Sequence, residues 1–179
     1  MEVYLTDGTL PTYFDNGKKS GEVTYKNSKP HGLWTEWYEN GQLKSEKRYK
    51  DGKRHGKCIG WHENGLMFKE SFYKHGKAEG THMTWNRRGA LVRKNIWKDN
   101  KLDGEQIHWH DNGQMSQKSF YKYNRIEGKR IGWYENGQKH YEDNYEDGLL
   151  DGYSVTCLLY TSDAADDTPC VDLGGRRII

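Results

Sequence analysis

The chain is poor in aliphatic side chains and rich in charge, since 33% of its residues are hydrophobic and 30% are charged. Such a composition cannot fill a thick two-layer core, and without a regular pattern it would indicate disorder. The sequence has no apolar run long enough to cross a bilayer as a helix. The N-terminal residues MEVYLTDG also lack the charged-then-apolar pattern of a signal peptide, which predicts a cytoplasmic protein.

The chain also has no large excess of positive or negative charge. The 28 Lys and Arg residues are almost balanced by 26 Asp and Glu residues, and the two signs alternate along the chain. Proteins that bind nucleic acid present a basic stripe, so we expect no nucleic-acid partner. The net charge of +2 gives little support to membrane association through lipid headgroups.

Cysteine is scarce, and the usual arrangements of catalytic residues are missing. Two of the three cysteines, Cys157 and Cys170, lie in an atypical tail, which leaves Cys58 and excludes a disulfide framework. The sequence shows no Ser-His-Asp order, no phosphate-cradling glycine loop and no G-x-S-x-G motif. It therefore predicts no catalytic residue, no cofactor and no enzyme activity.

Histidine is the one residue type that suggests a metal site. His108 and His110 lie on one face of a strand if side chains alternate, and His62 occupies the position of His110 two repeats earlier. Two repeats should separate His62 from His110 by about 20 Å at the usual strand spacing. Zinc needs several converging ligands, so we predict no metal site.

What the chain does contain is an internal repeat of 24 residues. The string WYENGQ occurs at 37–42 and again at 133–138, and no insertion interrupts the period between them. The glycine column of the ENG motif comprises Gly17, Gly41, Gly65, Gly89, Gly113 and Gly137. A second glycine column comprises Gly8, Gly32, Gly56, Gly80, Gly104, Gly128 and Gly152. Two aromatic columns recur in the same phase, one containing Trp37 and the other containing Tyr49.

Each repeat is predicted to be a β-hairpin, because two short segments rich in aromatic and alternating residues flank the ENG motif. A two-residue Asn-Gly turn would pair Trp37 with Lys44, whereas a three-residue loop at 39–41 would pair Trp37 with Leu43. The column at Leu43 is mostly apolar, which favours the three-residue loop.

The second connection, KDGKRHG at 50–56, joins one hairpin to the next. Its column at Gly52 contains only Gly, Asn and Ser, and Gly and Asn tolerate positive φ most readily. We therefore expect one turn geometry in all repeats, with Ser28 the weakest match, and we predict that both glycine columns lie in turns.

Strict alternation then assigns the faces of the sheet. Thr35 and Trp37 should share a face with Ser45 and Tyr49, while charged residues such as Glu46 should occupy the other face. The sequence thus predicts an elongated single-layer antiparallel sheet of about six stacked hairpins. The aromatic columns should form a structural ladder and a candidate partner surface. This aromatic ladder comprises Trp37, Trp61, Trp85, Trp109, Trp133, Tyr49, Tyr73, Trp97, Tyr121 and Tyr145.

The unit resembles the MORN repeat, specifically its bacterial variant. The residues that carry the resemblance are WYENGQ with YKDGKRHG at 37–56 and WYENGQ with YEDGLLDG at 133–152, with degenerate copies between them. In one of these copies Arg88 replaces the turn asparagine and Asn86 replaces the second aromatic residue. Chains built in this way are similar to the YwqK-type antitoxin family. The resemblance implies a non-enzymatic scaffold that binds and neutralises a partner toxin, as a monomer or with edge-to-edge association.

An alternative function follows from a second resemblance. The run GWYENG at 132–137 also looks like choline-binding and cell-wall-binding repeats, in which aromatic side chains hold a quaternary ammonium group. Those repeats are shorter than 24 residues and belong to exported proteins. Relatives of the MORN repeat suggest in addition that this chain contacts lipid headgroups. A cell-surface, lipid-binding or choline-type ligand-binding module is therefore the alternative to protein recognition.

The repeat pattern ends near Thr156. The period requires an aromatic residue at 157 and a glycine at 161, but Cys157 and Thr161 stand there. Residues 157–166 look like a translated sequencing-library adapter of the transposase type, and residues 171–179 look like its continuation in the same frame. We therefore expect a repeat array at 1–156, truncated at its C-terminal end, and a non-native, disordered tail at 157–179.

Overall fold

The structure, a computed structural model, describes residues 7–157 and 170–172. Every regular element within these ranges is a β-strand, and the strands follow one another in chain order in an open antiparallel sheet. The predicted all-β class, built from consecutive hairpins, is therefore confirmed. The chain divides into an N-terminal unit, Met1–Leu91 with Trp97–Asn100, and a C-terminal unit, Val92–Ile96 with Lys101–Ile179.

Seven complete strands belong to the N-terminal unit, and β8 contributes residues to both units. These strands are β1 (Gly8–Tyr13), β2 (Lys19–Lys26), β3 (Lys29–Trp37), β4 (Leu43–Lys50), β5 (Lys53–Trp61), β6 (Met67–Lys74), β7 (Lys77–Trp85) and β8 (Leu91–Lys98). The C-terminal unit contains β9 (Lys101–Trp109), β10 (Met115–Lys122), β11 (Arg125–Trp133), β12 (Lys139–Glu146), β13 (Leu149–Cys157) and β14 (Cys170–Asp172).

The ENG motif closes each hairpin through the three-residue loop that the sequence favours. Trp37 pairs with Leu43, and the backbone N–H of Tyr38 donates to the Gln42 carbonyl at 2.8 Å. Gly41 takes a φ of 85°, and its N–H donates back to the Tyr38 carbonyl at 2.9 Å. A positive φ at the third loop position is what a glycine there provides without steric cost.

The predicted assignment of faces is wrong, because a bulge follows this loop. Trp37 pairs with Leu43, but the next pair is Glu36 with Ser45, so Lys44 is an extra residue in β4. Since side chains alternate, one extra residue exchanges the faces of the rest of the strand. Thr35 consequently lies opposite Glu46, and the aliphatic column shares its face with charged residues rather than with the column of Tyr49.

The hairpins are joined by two-residue turns in which both residues have positive φ. In the turn between β4 and β5, Lys50 pairs with Lys53, and Asp51 and Gly52 have φ values of 52° and 79°. This is the backbone pattern of type I′ turns, which suits the twist of antiparallel strands. The expected common geometry is confirmed at the second turn position, which is held by Ser28, Gly52, Gly76, Asn100, Asn124 and Gly148.

The second glycine column does not lie in turns, which corrects the prediction. Gly56 lies inside β5, at a bulge where Lys47 pairs with Cys58 but Tyr49 pairs with Arg54. Its φ of 93° is one that side chains rarely adopt. The same in-strand column with positive φ comprises Gly32, Gly56, Gly80, Gly104, Gly128 and Gly152. The strand registers place bulges at Gly32, Gly56, Gly80, Gly128 and Gly152, where glycine supplies the positive φ without steric cost.

Replacing Gly56 by alanine should lower the free energy of unfolding by about 1–3 kcal/mol, because the backbone cannot keep its positive φ without strain. Steric clash does not add to this cost, since the nearest atom to an added Cβ is Cδ of Arg48 at 3.6 Å. Gly56→Asn should lose less stability, because asparagine tolerates positive φ better than alanine. Denaturant unfolding of both variants checks this order, and equal losses would argue against backbone strain as the cause.

Four residues of the predicted disordered tail lie in strands. Cys157 ends β13, is 3% exposed and is disulfide-bonded. Residues 170–172 form β14, whose Cys170 pairs with Cys157 in the antiparallel register. The predicted absence of disulfides therefore does not hold for Cys157. The other residues of the tail lie outside the described ranges, and the adapter origin of the segment stays a prediction.

Candidate functional site

The register gives each unit two faces of different chemistry. One face of the N-terminal unit carries Trp34, Lys47, Cys58 and Ser71. These residues lie opposite one another on successive strands, and we call this face the polar face. In the C-terminal unit the same positions are held by Gln106, Ser119, Arg130 and Asp143. The aliphatic face carries the column of Ile59, which alternates with charged residues such as Glu46 and Glu70.

The polar face buries small and polar side chains together with the apolar residues Val23 and Ala78. Cys58 and Ser71 are 6% and 4% exposed in the N-terminal unit, and Ser119 is 1% exposed in the C-terminal unit. Long flat side chains cover them; for example, the rings of Trp34 and Tyr49 lie 5.6 Å apart. The sequence gives little sign of this layer, since it is a row of isolated Ser, Cys and His residues.

The structure does not bring the two columns of the predicted aromatic ladder together. The Tyr49 column lies on the polar face, where Tyr73 contacts His82 at a ring distance of 5.5 Å. Trp37 pairs with Leu43 on the opposite face, and the ammonium group of Lys19 lies 5.0 Å from its ring centre. The ladder residues within the described ranges are half-buried. The ladder as a partner surface stays a prediction.

The residue after Trp37, Trp61 and Trp109 connects one repeat to the next. The Tyr38 hydroxyl donates to the Trp61 carbonyl at 2.7 Å, and His62 donates through Nε2 to the Trp85 carbonyl at 3.1 Å. His110 in the C-terminal unit bonds to the Trp133 carbonyl in the same way, at 2.8 Å. These histidines therefore act as cross-repeat hydrogen-bond donors. Among the residues that the structure describes, no group of three or more His, Cys, Asp or Glu side chains is placed to hold a metal ion.

The asparagine of the ENG motif has two roles. Its Oδ1 accepts the backbone N–H two residues later, as in Asn40 to Gln42 at 2.9 Å, which is the local bond that favours asparagine in turns. Its Nδ2 donates across the repeat, from Asn40 to the Glu63 carbonyl at 3.0 Å. In the degenerate copy Asn86 takes over the local role by accepting from the N–H groups of Arg88 and Ala90.

A buried ion pair occupies the polar face of the C-terminal unit. Asp143 is 4% exposed and accepts a 2.9 Å bond from Nε of Arg130, a shorter contact from the same guanidinium, and a 2.6 Å bond from Ser154. The guanidinium lies over the rings of Tyr141 and Tyr145, 5.1 Å from each centre. Burial raises the pKa of both tyrosines even though Arg130 opposes it.

The N-terminal unit has an open cavity of about 330 Å³ at the corresponding place on its polar face. Gly60, Ser45 and Ser71 line it, together with a rim of four basic residues, four aromatic residues and one carboxylate. The members of this rim are Lys44, Lys47, Arg54, Lys69, Tyr38, Trp61, Phe68, Tyr73 and Glu36. A cavity of this size with few convergent polar groups is typical of a ligand site.

Two histidines of the polar face have lowered pKa values. Burial lowers the pKa of His82, which lies between the rings of Tyr73 and Trp97 and bonds through Nε2 to the Phe72 carbonyl at 2.9 Å. Burial also lowers the pKa of His108, and the charge of Arg93 adds to this effect. Burial therefore favours the neutral form of both side chains.

Acid should destabilise the protein before its carboxylates titrate. A histidine whose pKa is lowered in the folded state binds its proton in the unfolded state first, so stability is lost as the pH falls below the ordinary value of 6.5. We expect His82→Gln to weaken this pH dependence, since glutamine occupies the equivalent position at Gln106. Urea unfolding of both proteins at several pH values checks this expectation, and identical pH profiles would contradict it.

Comparison with known protein families supports the repeat assignment. The profile of the MORN repeat variant matches residues 6–27, 30–51, 102–123 and 126–147, each of which spans one of the hairpins described above. No curated protein matches the chain significantly. The described residues contain no helix that is long and apolar enough to span a membrane. The polar face and its cavity are thus the candidate functional site of a chain in which four hairpins match the MORN repeat variant.

Proposed function

We propose that this chain of MORN repeat variants is a non-enzymatic recognition scaffold whose polar face binds a protein partner. The observation that carries the proposal is that the backbone framework is the same in successive hairpins, whereas the side chains of the polar face differ. The framework repeats from hairpin to hairpin in the positive-φ turns and in the cross-repeat bonds of Tyr38, His62, His110 and Tyr134.

The polar face varies on this framework. The position of Glu36 is held in successive repeats by Glu36, Gly60, Thr84, His108 and Gly132, and that of Ser45 by Ser45, Lys69, Arg93, Gln117 and Tyr141. Charge and size therefore change strongly between neighbouring repeats while the backbone stays the same. Repeat proteins that recognise partners across several repeats have this division of roles.

The finer proposal is that the partner is a toxin which this chain neutralises. Its support is the likeness of the WYENGQ units to those of antitoxins of the YwqK type. Binding would take place in the cytoplasm and would involve no nucleic acid.

The experiment that tests the proposal is capture of partners from a lysate of the source cells with the tagged full-length chain, read out by mass spectrometry. Two charge reversals in the N-terminal unit serve as matched variants. Lys69→Glu changes the polar face, whereas Lys50→Glu changes the aliphatic face opposite Lys53. We expect one stoichiometric protein that Lys69→Glu loses and Lys50→Glu retains.

The toxin proposal has its own test. The captured protein, expressed alone, should arrest growth, and co-expression of this chain should restore growth. A captured protein without toxicity would contradict the toxin proposal and leave the scaffold proposal in place. Recovery of envelope fragments or lipids alone would contradict both and favour the cell-surface alternative.

A further inference from the structure

The cavity on the polar face of the N-terminal unit exists because Gly60 carries no side chain and no side chain of the described residues covers it. Gly60 does not have a positive φ, so the backbone at this position does not require glycine. An added Cβ would meet only ordinary contacts, with Phe68 at 3.6 Å and the Lys44 carbonyl at 3.7 Å. The strand would therefore accept a larger residue here, and glycine leaves open space that folding does not demand.

The equivalent place in the C-terminal unit is filled. Gly132 occupies the position of Gly60, and a Cβ added there would lie 2.2 Å from the ring of Tyr141. Lys69 stands in the N-terminal unit where Tyr141 stands in the C-terminal unit. The Tyr141 ring thus covers Gly132 in the C-terminal unit. In the N-terminal unit the Lys69 ammonium group lies beside an open cavity at Gly60.

The charges around the cavity are not balanced. Lys47 pairs with Glu36 at 2.5 Å, and Ser45 donates to the same carboxylate at 2.5 Å. Burial would raise the pKa of Glu36, but these hydrogen bonds and the nearby ammonium groups outweigh it and lower the pKa. Within the described part of the chain, Lys44, Arg54 and Lys69 make no ion pair. The cavity therefore has an excess of positive charge.

Aromatic rings hold the rim in a defined geometry. The Tyr38 hydroxyl is fixed by its bond to the Trp61 carbonyl, and the ammonium group of Lys44 lies 5.6 Å from the centre of the Tyr38 ring. The Arg54 guanidinium lies 5.3 Å from the ring of Tyr73 and within 3.5 Å of its hydroxyl. The guanidinium also hydrogen-bonds to Tyr49, and the N–H groups outside these two bonds are available for a carboxylate.

We propose that this cavity receives the carboxylate of a Glu or Asp side chain from an acidic segment of the protein partner. The proposal rests on the recognition function proposed above and names the chemistry of one contact. Arg54 and Lys69 bind the carboxylate, and the rings of Tyr73 and Phe68 contact the methylene groups of the entering side chain. The opposite charge of partner and cavity also raises the association rate.

The test is an NMR titration of the isotope-labelled full-length chain with a capped peptide of glutamates. A capped peptide of glutamines serves as the neutral control, and inorganic phosphate serves as the small-anion control. We expect saturable shifts of the amide signals of β5 and β6 with the glutamate peptide alone. The apparent affinity should fall as salt is raised, because counter-ions screen half-exposed charges.

Two variants locate the binding. Gly60→Thr fills the cavity with the residue found at Thr84 in the next repeat and favours the strand, so it should fold at least as well as the parent. Lys69→Glu reverses one charge of the rim. Each should weaken binding of the glutamate peptide by about tenfold or more, whereas Lys50→Glu on the aliphatic face should leave it unchanged.

Three results would overturn the proposal: no saturable shift, equal affinity in Gly60→Thr, or equal binding of inorganic phosphate. None of these depends on the natural partner. A captured protein that Gly60→Thr still binds would likewise overturn the carboxylate contact and leave the scaffold function standing.

Discussion

Gly132→Ala should lower the free energy of unfolding by about 2–3 kcal/mol, because it overfills a packed site. The added Cβ would lie 2.2 Å from the Tyr141 ring, which therefore has to move. The ring is held by a 2.9 Å bond from its hydroxyl to Gln117, by the Arg130 guanidinium above it and by an edge contact with His140 at 5.3 Å. Thermal and denaturant unfolding of the full-length chain measure the loss.

The matched control for this prediction is Gly60→Ala. Gly60 occupies the same position of the repeat, but its added Cβ makes only ordinary contacts. We expect no loss and a gain of up to about 1 kcal/mol, since glycine in a strand is less favourable than alanine. In a Tyr141→Ala background the cost of Gly132→Ala should largely disappear. A cost that persists in this background would show that the ring is not its cause.

Asp143→Ala should be the other strongly destabilising substitution, with an expected loss of about 2–4 kcal/mol. Removing one partner of a buried ion pair leaves the other charge uncompensated. The loss is smaller than for a fully enclosed pair, because the Arg130 side chain is 36% exposed and keeps contact with water. Ser154 also loses the acceptor of its 2.6 Å hydrogen bond. Urea unfolding at neutral pH measures the effect.

Glu142→Gln is the control for Asp143→Ala. Glu142 is the neighbouring residue on the opposite face, and it is bonded to Lys129 at 2.5 Å and to Lys139 at 2.6 Å. These ion pairs are open to solvent, so their removal should cost less than about 1 kcal/mol. If the two substitutions destabilise the chain equally, the buried pair does not have the special role assigned to it here.

The hairpins and their closing loops could be predicted because they depend on local chemistry. The 24-residue period places a glycine at each position that needs a positive φ in the ENG loop. The apolar column at Leu43 is enough to select the three-residue loop, which the pairing of Trp37 with Leu43 confirms. Strand type and turn geometry follow from short stretches of sequence, and similar stretches recur from repeat to repeat.

The candidate site could not be predicted to the same depth. Lys44 has nothing in its residue type that marks it as a bulge residue, yet it decides on which face Ser45, Lys47 and Tyr49 lie. From the sequence, Tyr38 is one more aromatic residue and His62 is a possible metal ligand. In the structure both side chains donate a hydrogen bond to a carbonyl of the following repeat. That carbonyl is 23 residues away in the chain and becomes a neighbour only through strand pairing.

By itself the sequence determined that this chain is an array of antiparallel hairpins, because alternation and turn chemistry are local properties that each repeat carries. The tertiary structure alone decided which side chains share a face, since one extra residue at a bulge inverts the rest of a strand. It also decided where a cavity opens. The space above a glycine is filled or empty according to the residue on the paired strand, Tyr141 beside Gly132 or Lys69 beside Gly60.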